Sequence, residues 1–209
     1  MRPRNLLFLA LLVVIFIGAG CGQSNTPALS DALTVTVSIA PQQYFVERIG
    51  GEHVNVNVMV EPGASPHSYE PKPAQMRALS ESAAYFSIGV DCEDVWLDKI
   101  AAANESMRMV DTVADIERMP MAVSHEHEED EAHEEDGDHV EGRPDPHVWT
   151  SPSMVEQQAQ VIYNTLIELD PEHEAAYTVN YEAFLAYIRA LEEDILETLD
   201  GVAHRKFMV

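Results

Sequence analysis

The stretch that decides the fold is LTVTVSIAPQQYFVERIGGEHVNVNVMV, residues 33–60. Residues 33–39 alternate apolar and polar side chains, which is typical of a strand. Residues 42–49 follow a helical pattern that ends at Gly50-Gly51, and valines at every second position over 54–60 indicate another strand. A strand, a helix and a strand in this order predict two parallel strands joined by a covering helix.

The same alternation continues further along the chain. We expect helices over 73–83 and 95–103, and short strands over 85–88 and 107–110. The order β-α-β-α-β-α-β predicts an α/β fold, a parallel sheet with flanking helices, over residues 33–169. Ligands of such sheets bind in the crevice beyond the carboxyl ends of the strands. The loop that holds His67 follows a strand in that position.

Two cap-and-proline signals predict the remaining helices. Ser151-Pro152 offers a helix start, and the apolar residues after it share one helix face up to Leu169. Asp170-Pro171 repeats the signal, and an apolar stripe then runs from Tyr177 to Leu199. We expect a long linking helix within residues 170–201; about 29 helical residues at roughly 1.5 Å each give a length near 44 Å.

The N-terminus is typical of a processing segment. Residues 1–20 combine two arginines, an apolar run and three small residues, which predicts a signal peptide. Cys21 follows at once and resembles a lipidated cysteine, although a plain secretory signal cleaved nearby is the alternative. Residues 21–32 then form the expected tether. The protein is therefore expected to be extracytoplasmic and held on the membrane by its lipid.

Composition excludes several classes of partner. The 209 residues carry 36 acidic against 12 basic side chains, a net charge of −24, which argues against nucleic acid and anionic lipid surfaces as partners. With Cys21 lipidated, Cys92 has no cysteine to pair with, and we interpret it as a structural thiol.

The most unusual stretch is HEHEEDEAHEEDGDHVE, residues 125–141, with four histidines, ten acidic residues and no basic one. No packed core can use it, so we expect a disordered loop over 122–143. Imidazole suits zinc, copper and nickel, and carboxylates add attraction for cations. We interpret the loop as an auxiliary metal-capture or sensing element; incidental histidines on a solvated loop are the alternative. The loop histidines are His125, His127, His133 and His139.

Two further histidines lie in proline-braced loops, GASPHSYEP at 63–71 and DPHVWTSP at 145–152. Proline restricts the unliganded loop, so less entropy is lost when a metal binds. With the acidic insertion before the second motif, the chain resembles the zinc/manganese-type solute-binding lipoproteins of ABC importers. The order of lipobox, strand, two loops and long helix agrees with this resemblance.

The resemblance implies two α/β lobes joined by a rigid helix, with a metal bound between them. His67 and His147 are then the first lobe's ligands, and the second lobe supplies another histidine and a carboxylate. Residues 204–209 would begin that second lobe, so we expect the sequence to be truncated. Asp145 is a candidate partner for the second ring nitrogen of His147.

The expected function is capture of a transition metal and its delivery to an ABC permease. Zinc is favoured because the identifiable ligands are imidazoles, whereas Mn²⁺ prefers oxygen. A manganese-specific receptor, a surface adhesin and a metal buffer remain alternatives. No H-E-x-x-H or G-x-S-x-G motif is present, so an enzyme is not expected. Three other histidines, His53, His173 and His204, are interpreted as surface or helix-end residues.

Overall fold

Four parallel strands and five helices make up the computed structural model, which describes residues 32–65, 69–121 and 143–202. The strands are β1 (Leu33–Ile39), β2 (Val54–Val60), β3 (Ala84–Ser87) and β4 (Arg108–Asp111). The helices are α1 (Ala40–Gly50), α2 (Pro73–Ser80), α3 (Asp91–Ala103), α4 (Pro152–Leu169) and α5 (Glu174–Thr198). Short 3₁₀ turns lie at Gly51–His53, Val148–Thr150 and Pro171–His173. The predicted α/β fold with a parallel sheet is confirmed.

The strands are ordered β2-β1-β3-β4, and every pairing is parallel. Val35 of β1 pairs with Val56 on one side and Ala84 on the other, so β1 is an inner strand. The winding direction reverses between β1 and β3, because β2 lies on one side of β1 and β3 on the other. In open parallel sheets the ligand crevice lies at such a reversal, beyond the carboxyl ends of the strands.

The alternation within β1 places two different sets of side chains on the two faces of the sheet. Val35 and Val37 are fully buried in a core shared with α1, α4 and α5. Thr36 and Ser38 are also fully buried, but their hydroxyls lie 2.6 Å from the Ser82 hydroxyl and 2.7 Å from the Tyr85 hydroxyl respectively. Both faces of the sheet are therefore covered, and the polar face is satisfied by hydrogen bonds.

The predicted apolar face of α4 forms part of the main core. Val155, Ala159, Ile162 and Leu166 are all buried, and the helix begins at Pro152 as expected. The next helix begins later than predicted, because Pro171–His173 forms a 3₁₀ turn before α5. With 25 residues, α5 is about 38 Å long.

The apolar stripe of α5 divides into two parts. Tyr177, Phe184 and Ile188 are buried, and the Phe184 ring lies 5.9 Å from that of Phe45 on α1. Further along, apolar side chains of the stripe are exposed: Leu191 by 39%, Ile195 by 38% and Leu199 by 56%. Only the first half of this helix is thus fixed by packing within the described residues.

Several expectations fall on segments outside the described residues. These are the signal peptide and most of the tether with Cys21, the loop position of His67, residues 122–142 with the four loop histidines, and residues 203–209. Within the described ranges, none of the helices has both the length and the apolar character needed to cross a bilayer.

Candidate metal site

The two proline-braced loops meet one apolar cluster at the carboxyl ends of the strands, which we call the edge cluster. Its buried members are Ile39, Val60, Ile88, Val90, Cys92, Val113, Ile116 and Val148. Tyr69, from the end of the first loop, and Trp149, next to His147, pack against it. Both loops therefore arrive at the same edge of the sheet.

The first loop is held firmly on its C-terminal side. The Tyr69 hydroxyl donates to Oε1 of Gln75 at 2.9 Å, and the Trp96 indole N–H donates to the Tyr69 carbonyl at 3.1 Å. The Gln75 amide in turn donates to the Met59 carbonyl at 2.6 Å, near the end of β2. His67 itself lies outside the described residues, so its role as a ligand stays a prediction.

His147 is held by a carboxylate two residues before it. Oδ1 of Asp145 lies 2.6 Å from Nδ1 of the His147 ring and accepts the His147 backbone N–H at 2.9 Å. An ionised carboxylate can only accept, so Nδ1 carries the hydrogen and the lone pair of Nε2 is available to a metal. The side chain of His147 is 60% exposed. This is the contact expected from the DPH spacing.

The same contacts keep Asp145 ionised. The backbone N–H of His147 and then its ring nitrogen donate to the carboxylate and lower the pKa of Asp145 below its usual value. At neutral pH an ionised carboxylate therefore accepts the hydrogen of the His147 Nδ1 atom.

A cavity of about 150 Å³ lies beside this pair, lined also by Arg118, Thr150 and Met154. Within residues 32–65, 69–121 and 143–202, no three His, Cys, Asp or Glu side chains are grouped closely enough to hold a metal ion. His147 with Asp145 is the part of the predicted site that these ranges bring together.

Cys92 does not join the site as a thiolate. Its side chain is buried in the edge cluster, and burial raises the pKa of the thiol to about 11. A thiol packed among apolar side chains agrees with the interpretation of Cys92 as structural.

The His-rich segment leaves and rejoins the described chain through a short backbone pairing, which we call the clip. It joins residues 119–121 to residues 143–145 in antiparallel fashion around the pair Pro120 and Pro144. The Met121 N–H donates to the Arg143 carbonyl, and the Asp145 N–H donates to the Met119 carbonyl, both at 2.8 Å. The insertion thus begins and ends beside the residue that holds His147.

Sequence comparison decides the family. The family model described as "Zinc-uptake complex component A periplasmic" matches residues 35–209. The chain belongs to this family. The resemblance drawn from the two histidine loops is confirmed at that level.

Individual members of the family differ in the metal they are named for. The chain is 29% identical over 185 residues to the manganese-binding lipoprotein MntA of Halalkalibacterium halodurans, covering 88% of this chain and 56% of that protein. It is 26% identical over 202 residues to the zinc-binding lipoprotein AdcA of Streptococcus pneumoniae, covering 97% of this chain and 39% of that protein.

A solved structure of the family agrees in fold. The crystal structure of a 138–173 deletion mutant of ZnuA with zinc bound superposes with a TM-score of 0.73 at 41% identity, covering 85% of this chain and 62% of that one. The chain thus spans between a third and two thirds of the length of these three family members.

Sequence reasoning missed a histidine pair at the opposite edge of the sheet. His53 and His173 stack with ring centroids 3.9 Å apart, and Nδ1 of His173 lies 2.7 Å from Oδ2 of Asp170. Tyr177 donates to the same Asp170 oxygen at 2.6 Å. Each of the two histidines is the last residue of a 3₁₀ turn, in agreement with the interpretation as helix-end residues. Their contact was not predicted, because residues far apart in the sequence meet here.

Glu93 was also missed. Its buried carboxylate accepts the backbone N–H groups of Ile88 at 2.9 Å and Gly89 at 2.7 Å, and the hydroxyl of Ser38. Burial raises the pKa of the Glu93 carboxyl. A glutamate at the third position of a helix often reaches back to backbone donors, so the sequence did carry a signal. Glu93 fixes the backbone between β3 and α3, beneath the edge cluster.

Proposed function

We propose that this protein is the extracytoplasmic metal receptor of an ABC-type importer, that it captures zinc, and that it passes the ion to a membrane permease. The observation that carries the proposal is the His147 ring, which Asp145 fixes with Nε2 free beside an open cavity at the carboxyl edge of the sheet. Membership of a family named for zinc uptake, with relatives named as metal-binding lipoproteins, supports the same role. No reaction is catalysed; the work is capture and release.

We assign His67 and His147 as ligands, with His125, His127, His133 and His139 as an auxiliary capture loop. The first loop returns through Tyr69 to the cluster that also supports Val148, which favours an approach of the two ligand loops. A zinc site uses three or four ligands, with nitrogen at about 2.0–2.1 Å. The remaining ligands come from outside the described residues.

Zinc is the favoured ion because of what surrounds His147. The neighbouring carboxylate, Asp145, is engaged through Oδ1 with Nδ1 of the ring, so Nε2 is the ring nitrogen that stays available to a metal. Imidazole suits zinc, whereas manganese prefers carboxylate and water oxygens. The relative named as manganese-binding makes manganese the second candidate.

Anchoring through a lipid on Cys21 is part of the proposal. A receptor that must hand an ion to a permease works best when it is confined to the membrane surface, and a single acyl chain gives reversible binding that a second chain stabilises. Metabolic labelling with a fatty acid, compared between the protein and Cys21→Ser, tests the anchor directly.

Calorimetric titration with Zn²⁺ and Mn²⁺ tests the metal assignment. We expect His67→Ala and His147→Ala each to weaken zinc binding, whereas His53→Ala, at the opposite edge of the sheet, serves as the matched control. Replacing the four loop histidines should lower the number of weakly bound ions and leave the tight site. If only the loop variant loses zinc, the protein is a metal buffer and the proposed site is wrong.

Delivery is tested in cells. Loss of the gene should slow growth in chelator-treated medium, and added zinc should restore it. Normal growth under chelation together with lost surface attachment would favour the adhesin alternative.

A further inference from the structure

The two prolines of the clip stand at positions where the missing proline N–H removes no hydrogen bond between its two strands. In an antiparallel ladder, residues in a non-hydrogen-bonded pair make no bonds to each other, while their neighbours on both sides do. Pro120 and Pro144 occupy such a pair, because the two bonds join residues 121 to 143 and 145 to 119. Proline also favours an extended conformation for the residue before it, which is what pairing requires of Met119 and Arg143.

Arg143 ties this clip to the first turn of α3. Its Nη1 lies 3.0 Å from Oδ1 of Asp91, and its Nη2 contacts Oδ2 of Asp94. A guanidinium held by two carboxylates on one helical turn has a defined orientation, which a single exposed ion pair lacks. The clip is thereby fixed to the helix that begins directly after Val90 of the edge cluster.

Asp145 connects the clip to the site. Its backbone N–H closes the clip, and its side chain holds both the backbone and the ring of His147. Any movement of the 143–145 strand therefore moves the carboxylate behind the imidazole.

We propose that Arg143 is a positioning residue for His147: by holding the clip against α3 it fixes Asp145, and through Asp145 the orientation and tautomer of the His147 ring. This inference rests on the proposed function only in taking His147 as a metal ligand. Partners of this outer kind typically change metal affinity by about 10- to 100-fold. Because Arg143 acts through one further residue and is half exposed, we expect the lower end of that range.

The experiment compares Arg143→Met, which keeps the length of the side chain, with Arg143→Lys and with Arg189→Met. Arg189 makes a two-contact pair with Glu156 at 3.0 and 3.2 Å on α4 and is the matched control for loss of an exposed arginine. All variants carry alanine at the four loop histidines, so that the loop does not mask the site. The first readout is zinc affinity by competition with a chromophoric chelator.

The second readout needs no metal. Nitrogen chemical shifts of the His147 ring, assigned by their loss in His147→Ala, report which ring nitrogen carries the hydrogen. We expect Arg143→Met to weaken zinc binding about tenfold and to shift the ring from the Nδ1–H form toward a mixture. Arg143→Lys should recover part of both effects, and Arg189→Met should change neither.

The outcomes separate this inference from the proposed function. If the ring shifts in Arg143→Met match those of Arg189→Met, the positioning role is refuted, whatever the zinc affinity. If the ring shifts respond but His147→Ala leaves zinc binding unchanged, Arg143 does position His147 and the assignment of His147 as a ligand fails. Unfolding curves confirm that each variant is folded before either result is interpreted.

Discussion

Removing the carboxylate of Asp145 is the most direct test of how His147 is prepared for a metal. Asp145→Ala deletes the acceptor that lies 2.6 Å from Nδ1 and 2.9 Å from the His147 backbone nitrogen. The ring then loses the acceptor that selects its Nδ1–H form and populates both tautomers. The protein also loses one negative charge near the proposed metal position.

The size of the effect follows from the geometry. Loss of such an outer partner costs about 10- to 100-fold in metal affinity, which corresponds to roughly 1.4–2.7 kcal/mol. The Asp145 side chain is 41% exposed, so solvent screens its charge and the loss should lie near tenfold. Asp145→Asn keeps a neutral acceptor and should lose only about threefold, in line with the modest net value of one hydrogen bond.

The assay is competitive zinc titration at neutral pH with the four loop histidines replaced by alanine. Glu52→Ala, at an exposed residue in the turn before β2, is the control because it removes one negative charge at the opposite edge of the sheet. If the zinc affinity of Asp145→Ala lies within about twofold of this control, the argument that the carboxylate orients the His147 ring is refuted.

Three further outcomes are expected. Replacing residues 122–142 by a short glycine-containing turn should change the free energy of unfolding by no more than about 0.5 kcal/mol, because the clip and the core remain. A large fall in the urea midpoint would show that the segment stabilises the fold. Burial raises the pKa of the Glu93 carboxyl, so its contribution to the free energy of unfolding falls as pH rises from about 4.3 through the folded pKa. Urea unfolding should therefore show Glu93→Gln gaining stability relative to the parent protein across that pH window. A difference in unfolding free energy that stays constant with pH would contradict this. Phe184→Ala should lower the free energy of unfolding by about 3–5 kcal/mol, whereas Leu196→Ala, at a side chain 65% exposed, should change it little, and equal effects of the two would refute the packing described for α5.

The strands were predictable because their signals are local. β1 and β2 have the predicted bounds, since both runs are rich in β-branched residues and each is preceded or followed by a helix or turn signal. By contrast, α3 begins at Asp91, four residues before the predicted start, because its acidic first turn was not read as a helix signal. The predicted start of α5 at Asp170 was early, since Asp170 bonds to His173 in the 3₁₀ turn before the helix and to Tyr177 in the first turn of the helix.

In the candidate site too, contacts between residues close in the sequence were predictable and contacts between distant residues were not. The Asp145–His147 contact joins residues two apart, so spacing alone pointed to it. The contact of Arg143 with Asp94 spans 49 positions, and the His53–His173 stack joins the turn before β2 to the turn before α5. Pairings of that kind depend on which elements the fold brings together, and no spacing in the sequence reports them.

The proline pair in the clip has a consequence for how the protein can change over generations. Hydrogen bonds on either side of Pro120 and Pro144 close the clip. The number of residues in the loop between its two strands can therefore change with little effect on the stability of the fold. Each doubling of a loop adds only about 0.6 kcal/mol of closure entropy. If the loop captures metal as we propose, histidines can be gained or lost there while the ring of His147, a few residues away, is left undisturbed. The number of histidines in the loop can thus evolve separately from the contacts that hold the ring of His147.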